Sequence, residues 1–131
     1  MKLKLRHHFD AAHRLEFHKG LCRNLHGHRW DVLIEIEQEE VENMILDFGE
    51  IKKIIDEYDH SCILSSTPEN HDLLTLLYKM ELRVIHFNDP PTAENLVRAI
   101  HGNLQEILPL QTKLKVTLWE SPGAGISYEK I

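Results

Sequence analysis

Residues 28–38, HRWDVLIEIEQ, set Trp30, Val32, Ile34 and Ile36 on one side at period two, with Asp31 and Glu35 among the residues between them. Such a stretch is a strand with one dry and one wet face. The opening segment, MKLKLRHHFDAAH (1–13), alternates in the same way and reads as a neighbouring strand. Downstream, DFGEIKKIIDEY opens with Asp47 as N-cap and Glu50 three residues on, and Ile51, Ile54, Ile55 and Tyr58 follow at helical spacing. A polar stretch, SSTPENHD, comes next. In LLTLLYKMELRVIHF the first half fits a short helix, and the second half, with Leu82, Val84 and Ile85, is more strand-like.

DPPTAENLVRAIHGNLQEIL is the clearest helix: Thr92 caps it, Glu94 sits in its first turn, and Ala93, Leu96, Val97, Ile100, Leu104 and Ile107 form one stripe. Last come KLKVTLWE, a turn at SPGAG, and ISYEKI, whose pattern predicts a hairpin. The expected architecture is therefore α+β: a four-stranded antiparallel sheet in ββααββ order with two helices on one face. Residues 1–131 are expected to form a single domain, with sheet edges that oligomerisation can cover.

Composition narrows the function. The chain is 42% apolar and 27% charged, and no apolar run approaches the ~20 residues needed to cross a bilayer. The amino terminus lacks the apolar block of a secretory signal, so a soluble, cytoplasmic protein with no membrane partner is expected. With 21 acidic against 15 basic residues the formal net charge is −6, and no basic block offers nucleic acid a footing. Cys22 and Cys62 are too few for a disulfide framework.

Ten histidines are the compositional oddity. His26 and His28, two apart at the entry to the second strand, can aim both imidazoles at one ion. His13, ending the first strand, can supply a third nitrogen across an antiparallel pair, leaving a coordination position open. Imidazoles suit zinc but also copper, nickel or iron, and a bare H-x-H is equally a pair of surface histidines. Cys22, four positions before His26, is either a small buried hydrophobe or a thiol made reactive by a nearby cation. Asp59 and His60 put a carboxylate beside an imidazole that can shuttle a proton, but neighbours in a strand point opposite ways, so a relay there needs a turn or a second chain. Glu120, ending the VTLWE strand, is either a solvated strand end or a carboxylate that accepts two hydrogen bonds from a heterocycle. Glu94 has the bland alternative of serving only the helix dipole.

Taken in order, FDAAH, CRNLHGHRW, LDFGEIK, YDH, PPTAENL and LWE resemble the 6-pyruvoyl-tetrahydropterin synthase and 6-carboxy-tetrahydropterin synthase family, from Phe9 to Glu120. The resemblance implies the tunnelling fold, zinc on His13, His26 and His28, Cys22 as catalytic thiol with Asp59 and His60 as its proton-relay partners, and Glu120 as pterin anchor. Thr92 and Glu94 would line the pterin pocket. It further implies 7,8-dihydroneopterin triphosphate as substrate and a homohexamer, a dimer of trimers, with active sites between subunits. Three residues between Cys22 and His26 resemble the bacterial 6-carboxy branch of queuosine biosynthesis, which releases acetaldehyde and triphosphate. The rivals are a 6-pyruvoyl-forming or dihydroneopterin-cleaving relative and, in another class, a non-catalytic metal- or pterin-binding domain. The segment after the Asp-His pair, SCILSSTPENHDLLTLLYK, finds no counterpart in the resemblance.

Overall fold

The computed structural model describes residues 1–130. Two long strands, β1 (Lys2–His13) and β2 (His26–Glu37), pair antiparallel along their full length, Lys2 opposite Glu37 and His13 opposite His26. After α1 (Phe48–Asp56), a short strand β3 (Ser61–Ser65) lies parallel to the end of β1. Helix α2 (His71–Lys79) leads to β4 (Val84–Phe87), parallel to β3. Helix α3 (Ala93–Gln105) then precedes the hairpin of β5 (Lys113–Ser121) and β6 (Ala124–Lys130), with β5 against β2. The sheet order is β4-β3-β1-β2-β5-β6.

The α+β class and the strands at both ends of the chain are as expected. Both anticipated caps are present: the Asp47 carboxylate accepts from the Gly49 amide at 2.6 Å, and the Thr92 hydroxyl accepts from the Asn95 amide at 3.1 Å. The count of elements is corrected: six strands in a mixed sheet and three helices among the described residues, against four antiparallel strands and two helices. β3 carries no alternation in its sequence because it is buried on both faces, with four of its five residues buried and Cys62 half-buried. A parallel neighbour then needs a crossover of a dozen residues or more, which 66–83 supply with α2 inside them.

Helix placement is corrected as well. The alternating faces of β1, β2 and β5 bury Phe9, Trp30, Ile34, Ile36, Val116 and Leu118 beneath Ile51 and Ile55 of α1 and Leu96, Ile100 and Leu104 of α3. Ile63, Ile85 and Phe87 join this core, so their neighbours Leu64 and His86, which face each other across β3 and β4, project to the opposite side. Tyr78 of α2 stacks on His86 at 5.4 Å, which puts α2 on that second face. Burying Leu64 and Leu74 outside the main core is the favourable term that holds it there.

Candidate metal centre and its surroundings

His13 ends β1 and His26 opens β2 directly opposite; His28 is two residues along β2, and Glu120 lies near the end of β5. The period of the strands turns all four side chains to the helix-covered face, where one donor atom from each lies within 4.8 Å of all the others. Trp30 continues the same row and closes the cluster below, edge-on to both His13 and His28.

Hydrogen bonds settle which ring nitrogens carry protons. His13 Nδ1 lies 2.8 Å from the Pro91 carbonyl and His26 Nδ1 lies 2.7 Å from the Asn24 carbonyl. A carbonyl only accepts, so each Nδ1 donates and each neutral Nε2 keeps a bare lone pair. Those two lone pairs face each other at 3.1 Å. His28 Nε2 is buried and has no aligned hydrogen bond, although Glu120 Oε1 approaches it at 2.9 Å; the same oxygen lies 3.5 Å from His13 Nε2. Burial pushes both His13 and His28 below the ordinary histidine range, although the Pro91 carbonyl and Glu120 oppose this, so relief of the repulsion by protonation is disfavoured. Three converging imidazole nitrogens, two of them with lone pairs fixed by their hydrogen bonds, together with a carboxylate fit a divalent cation of the zinc type.

The other expected residues are placed as follows. Thr92 and the exposed Glu94 begin α3 next to Pro91, whose carbonyl holds His13. Glu120, expected to anchor a heterocycle, has its carboxylate among the histidines, with about a third of the side chain exposed. Cys22 is a free, partly buried thiol in a single 3-10 turn, Leu21–Arg23, just ahead of the Asn24 carbonyl that orients His26.

Asp59 and His60 do pair, with Asp59 Oδ2 2.8 Å from His60 Nδ1. The device is a turn: His60 has φ 55°, in the left-handed region, which swings its side chain beside its neighbour's. The turn is clasped to β1, the His60 amide donating to the Asp10 carbonyl at 2.7 Å and the Asp10 amide to Asp59 Oδ1 at 2.8 Å. That amide above all holds the Asp59 carboxyl below the usual carboxylate range against the opposing effect of burial, with the His60 imidazole assisting. The pair is not part of the histidine cluster: Asp10 is three residues before His13, roughly 10 Å along a strand.

A second polar cluster was not foreseen. Asn70, fully buried, donates to the Ser65 carbonyl at 2.8 Å and accepts from Arg14 Nη1 at 3.1 Å, while the Ser65 and Thr67 hydroxyls both donate to Glu16 Oε1. Local pattern gave no signal for it, because the partners are about fifty positions apart and STPEN reads as an ordinary polar turn.

A family model described as 6-pyruvoyl tetrahydropterin synthase matches residues 2–130. The 6-carboxy-5,6,7,8-tetrahydropterin synthase of Haemophilus influenzae is 32% identical, over 93% of this chain and 94% of its own. The Rickettsia conorii protein of the same name is also 32% identical, over 90% and 92% respectively. Among solved structures, the uncharacterized protein WS1659 of Wolinella succinogenes superposes with a TM-score of 0.78 at 20% identity, covering 100% of this chain and 99% of that one. The 6-pyruvoyl tetrahydropterin synthase of Caenorhabditis elegans gives 0.66 at 21%, covering 100% and 96%. These likenesses bear out the tunnelling fold. The row of ligand-competent histidines, the fold that presents it and the match along nearly the whole sequence agree: this chain belongs to the 6-pyruvoyl tetrahydropterin synthase family.

Proposed function

We propose that the protein converts 7,8-dihydroneopterin triphosphate, with uptake of water, to 6-carboxy-5,6,7,8-tetrahydropterin, acetaldehyde and triphosphate, as a cytoplasmic step towards queuosine. The carrying observation is the pair of bare Nε2 lone pairs of His13 and His26 facing each other at 3.1 Å, with His28 Nε2 unpartnered beside them. His13, His26 and His28 would hold zinc, which supplies Lewis acidity towards substrate hydroxyls. The choice of the 6-carboxy product is supported by the names of relatives about one third identical over most of the chain.

In this reading Cys22 takes and returns a proton at one face of the substrate side chain, and His60 does so at the other. Asp59 fixes the His60 ring by the 2.8 Å contact at Nδ1, leaving Nε2 for the substrate. Glu120, Thr92 and Glu94 hold the pterin, with Glu120 reaching it from the edge of the histidine cluster. The roughly 10 Å between the Asp59–His60 turn and His13 favours a site completed by another copy. The two sheet edges, β4 and β6, offer the pairing for a ring, and two rings for a hexamer.

The test is product identification. Zinc-loaded protein given 7,8-dihydroneopterin triphosphate should yield a pterin of the 6-carboxy mass together with acetaldehyde; a 6-pyruvoyl product would move the enzyme to the other branch. Cys22→Ala should keep its metal and lose turnover, and a fully active variant would remove the thiol from the mechanism.

A further inference from the structure

The turn that carries Cys22 has no apolar anchor. None of its residues is buried, and Leu21 is 86% exposed, so packing does not fix its position. Polar contacts to the neighbouring loop do: the Leu15 amide donates to the Cys22 carbonyl at 2.9 Å, and Arg14 Nε donates to the Arg23 carbonyl at 2.9 Å. The same Arg14 guanidinium donates through Nη1 to Asn70 Oδ1 at 3.1 Å. Asn70 is immobilised in turn, fully buried, with its amide nitrogen donating to the Ser65 carbonyl and its hydroxyl.

We propose that Arg14 and Asn70 are positioning residues for Cys22, bridging its turn to the corner between β3 and α2 and so fixing where the thiol stands. This rests on the reading of Cys22 as a proton-transfer group. The guanidinium suits the task because its donors form a rigid fork able to reach two acceptors at once, which a lysine ammonium on a flexible stem does not reproduce. Asn70 suits it because a side-chain amide both donates and accepts, so one buried group ties Arg14 to the strand end. Glu16 completes the corner: burial raises its carboxyl, but the Ser65 hydroxyl, its own backbone amide, the Thr67 hydroxyl and the Arg14 charge together hold it below the usual range. The bridge gives a role to part of the 61–79 segment, which finds no counterpart in the family resemblance.

Arg14 is partly exposed, so Arg14→Lys and Arg14→Met leave the core intact. Both should lower kcat about tenfold with KM and zinc content little changed, since small displacements of a reacting group cost rate rather than binding. Alkylation of Cys22 by iodoacetamide, read by mass spectrometry in the zinc-loaded protein without substrate, should change about threefold or more while the partly buried Cys62 keeps its rate. A purely structural role would lower the melting temperature and leave the Cys22-to-Cys62 ratio alone. Unchanged alkylation and turnover in both variants overturns the proposal, as does a wild-type Arg14→Lys beside an impaired Arg14→Met, which would make charge rather than the fork decisive. Full activity of Cys22→Ala would sink the mechanistic reading instead, leaving the alkylation ratio to judge the anchoring by itself.

Discussion

Two polar clusters occupy the end of the sheet where β1 and β3 finish. In one, His13 and His26 present acceptors to each other, lone pair facing lone pair at 3.1 Å, and His28 Nε2 has no aligned partner although Glu120 lies beside it. In the other, Arg14, Ser65, Thr67 and Asn70 match donor to acceptor, and only Glu16 Oε2 is left without a hydrogen bond. The first leaves its facing lone pairs unmatched, as a cation site would; the second is nearly self-satisfied and holds backbone in place. Polarity and burial are shared by both, and the balance of donors against acceptors separates a binding centre from a strut.

Substitutions should divide along that line. The largest effect is expected for His28→Ala: zinc content measured by mass spectrometry falls below about a tenth of wild type. The metal-free melting temperature should hold or rise, because one member of a repelling set is gone; a marked fall would mean that the histidines support the fold. Asn70→Ala should do the reverse, costing about 3 kcal/mol in urea unfolding by stranding buried partners, with zinc retained. Thr92→Ala removes the α3 cap for about 1 kcal/mol. Because Pro91 precedes that cap and orients His13, zinc affinity should also weaken roughly tenfold in a competitive chelator titration.

The smallest effect concerns His101, a buried histidine away from both clusters whose Nε2 donates to the Leu114 carbonyl at 3.1 Å. Burial first, with Lys130 assisting, holds it below its ordinary value of 6.5, so the unfolded chain takes up this proton before the folded one. Its share of stability is therefore complete above about pH 6.5 and lost as the pH falls below that. His101→Gln should flatten the decline of melting temperature between pH 7 and 5, and an unaltered slope would assign the acid sensitivity to other groups.

What could be read from the sequence was what depends on near neighbours. The Asp47 and Thr92 caps, the α3 stripe from Ala93 to Leu104 and the long strands are set by residues a few positions apart and are present; Ile107, expected to extend the stripe, lies beyond the end of α3 and is exposed. The histidine trio was legible for the same reason: an H-x-H pair shares a face by strand geometry, and a neighbouring strand end supplies the third ring. β3, the face chosen by α2 and the burial of Asn70 were not legible, because each is decided by partners far along the chain. The Asp59–His60 pair lies between these cases. Its sequence posed the right geometric question, and a single left-handed residue answered it.

The clasp of that turn on Asp10 has a consequence in time. Its bonds span 49 and 50 positions, and the parallel contact of β1 with β3 beside them is equally non-local. Closing so long a stretch of chain is slow compared with forming the β5–β6 hairpin. During refolding the imidazole of His60 should thus be set late, after the helices and the hairpin, and on its proposed role catalytic competence should lag the return of the far-ultraviolet signal.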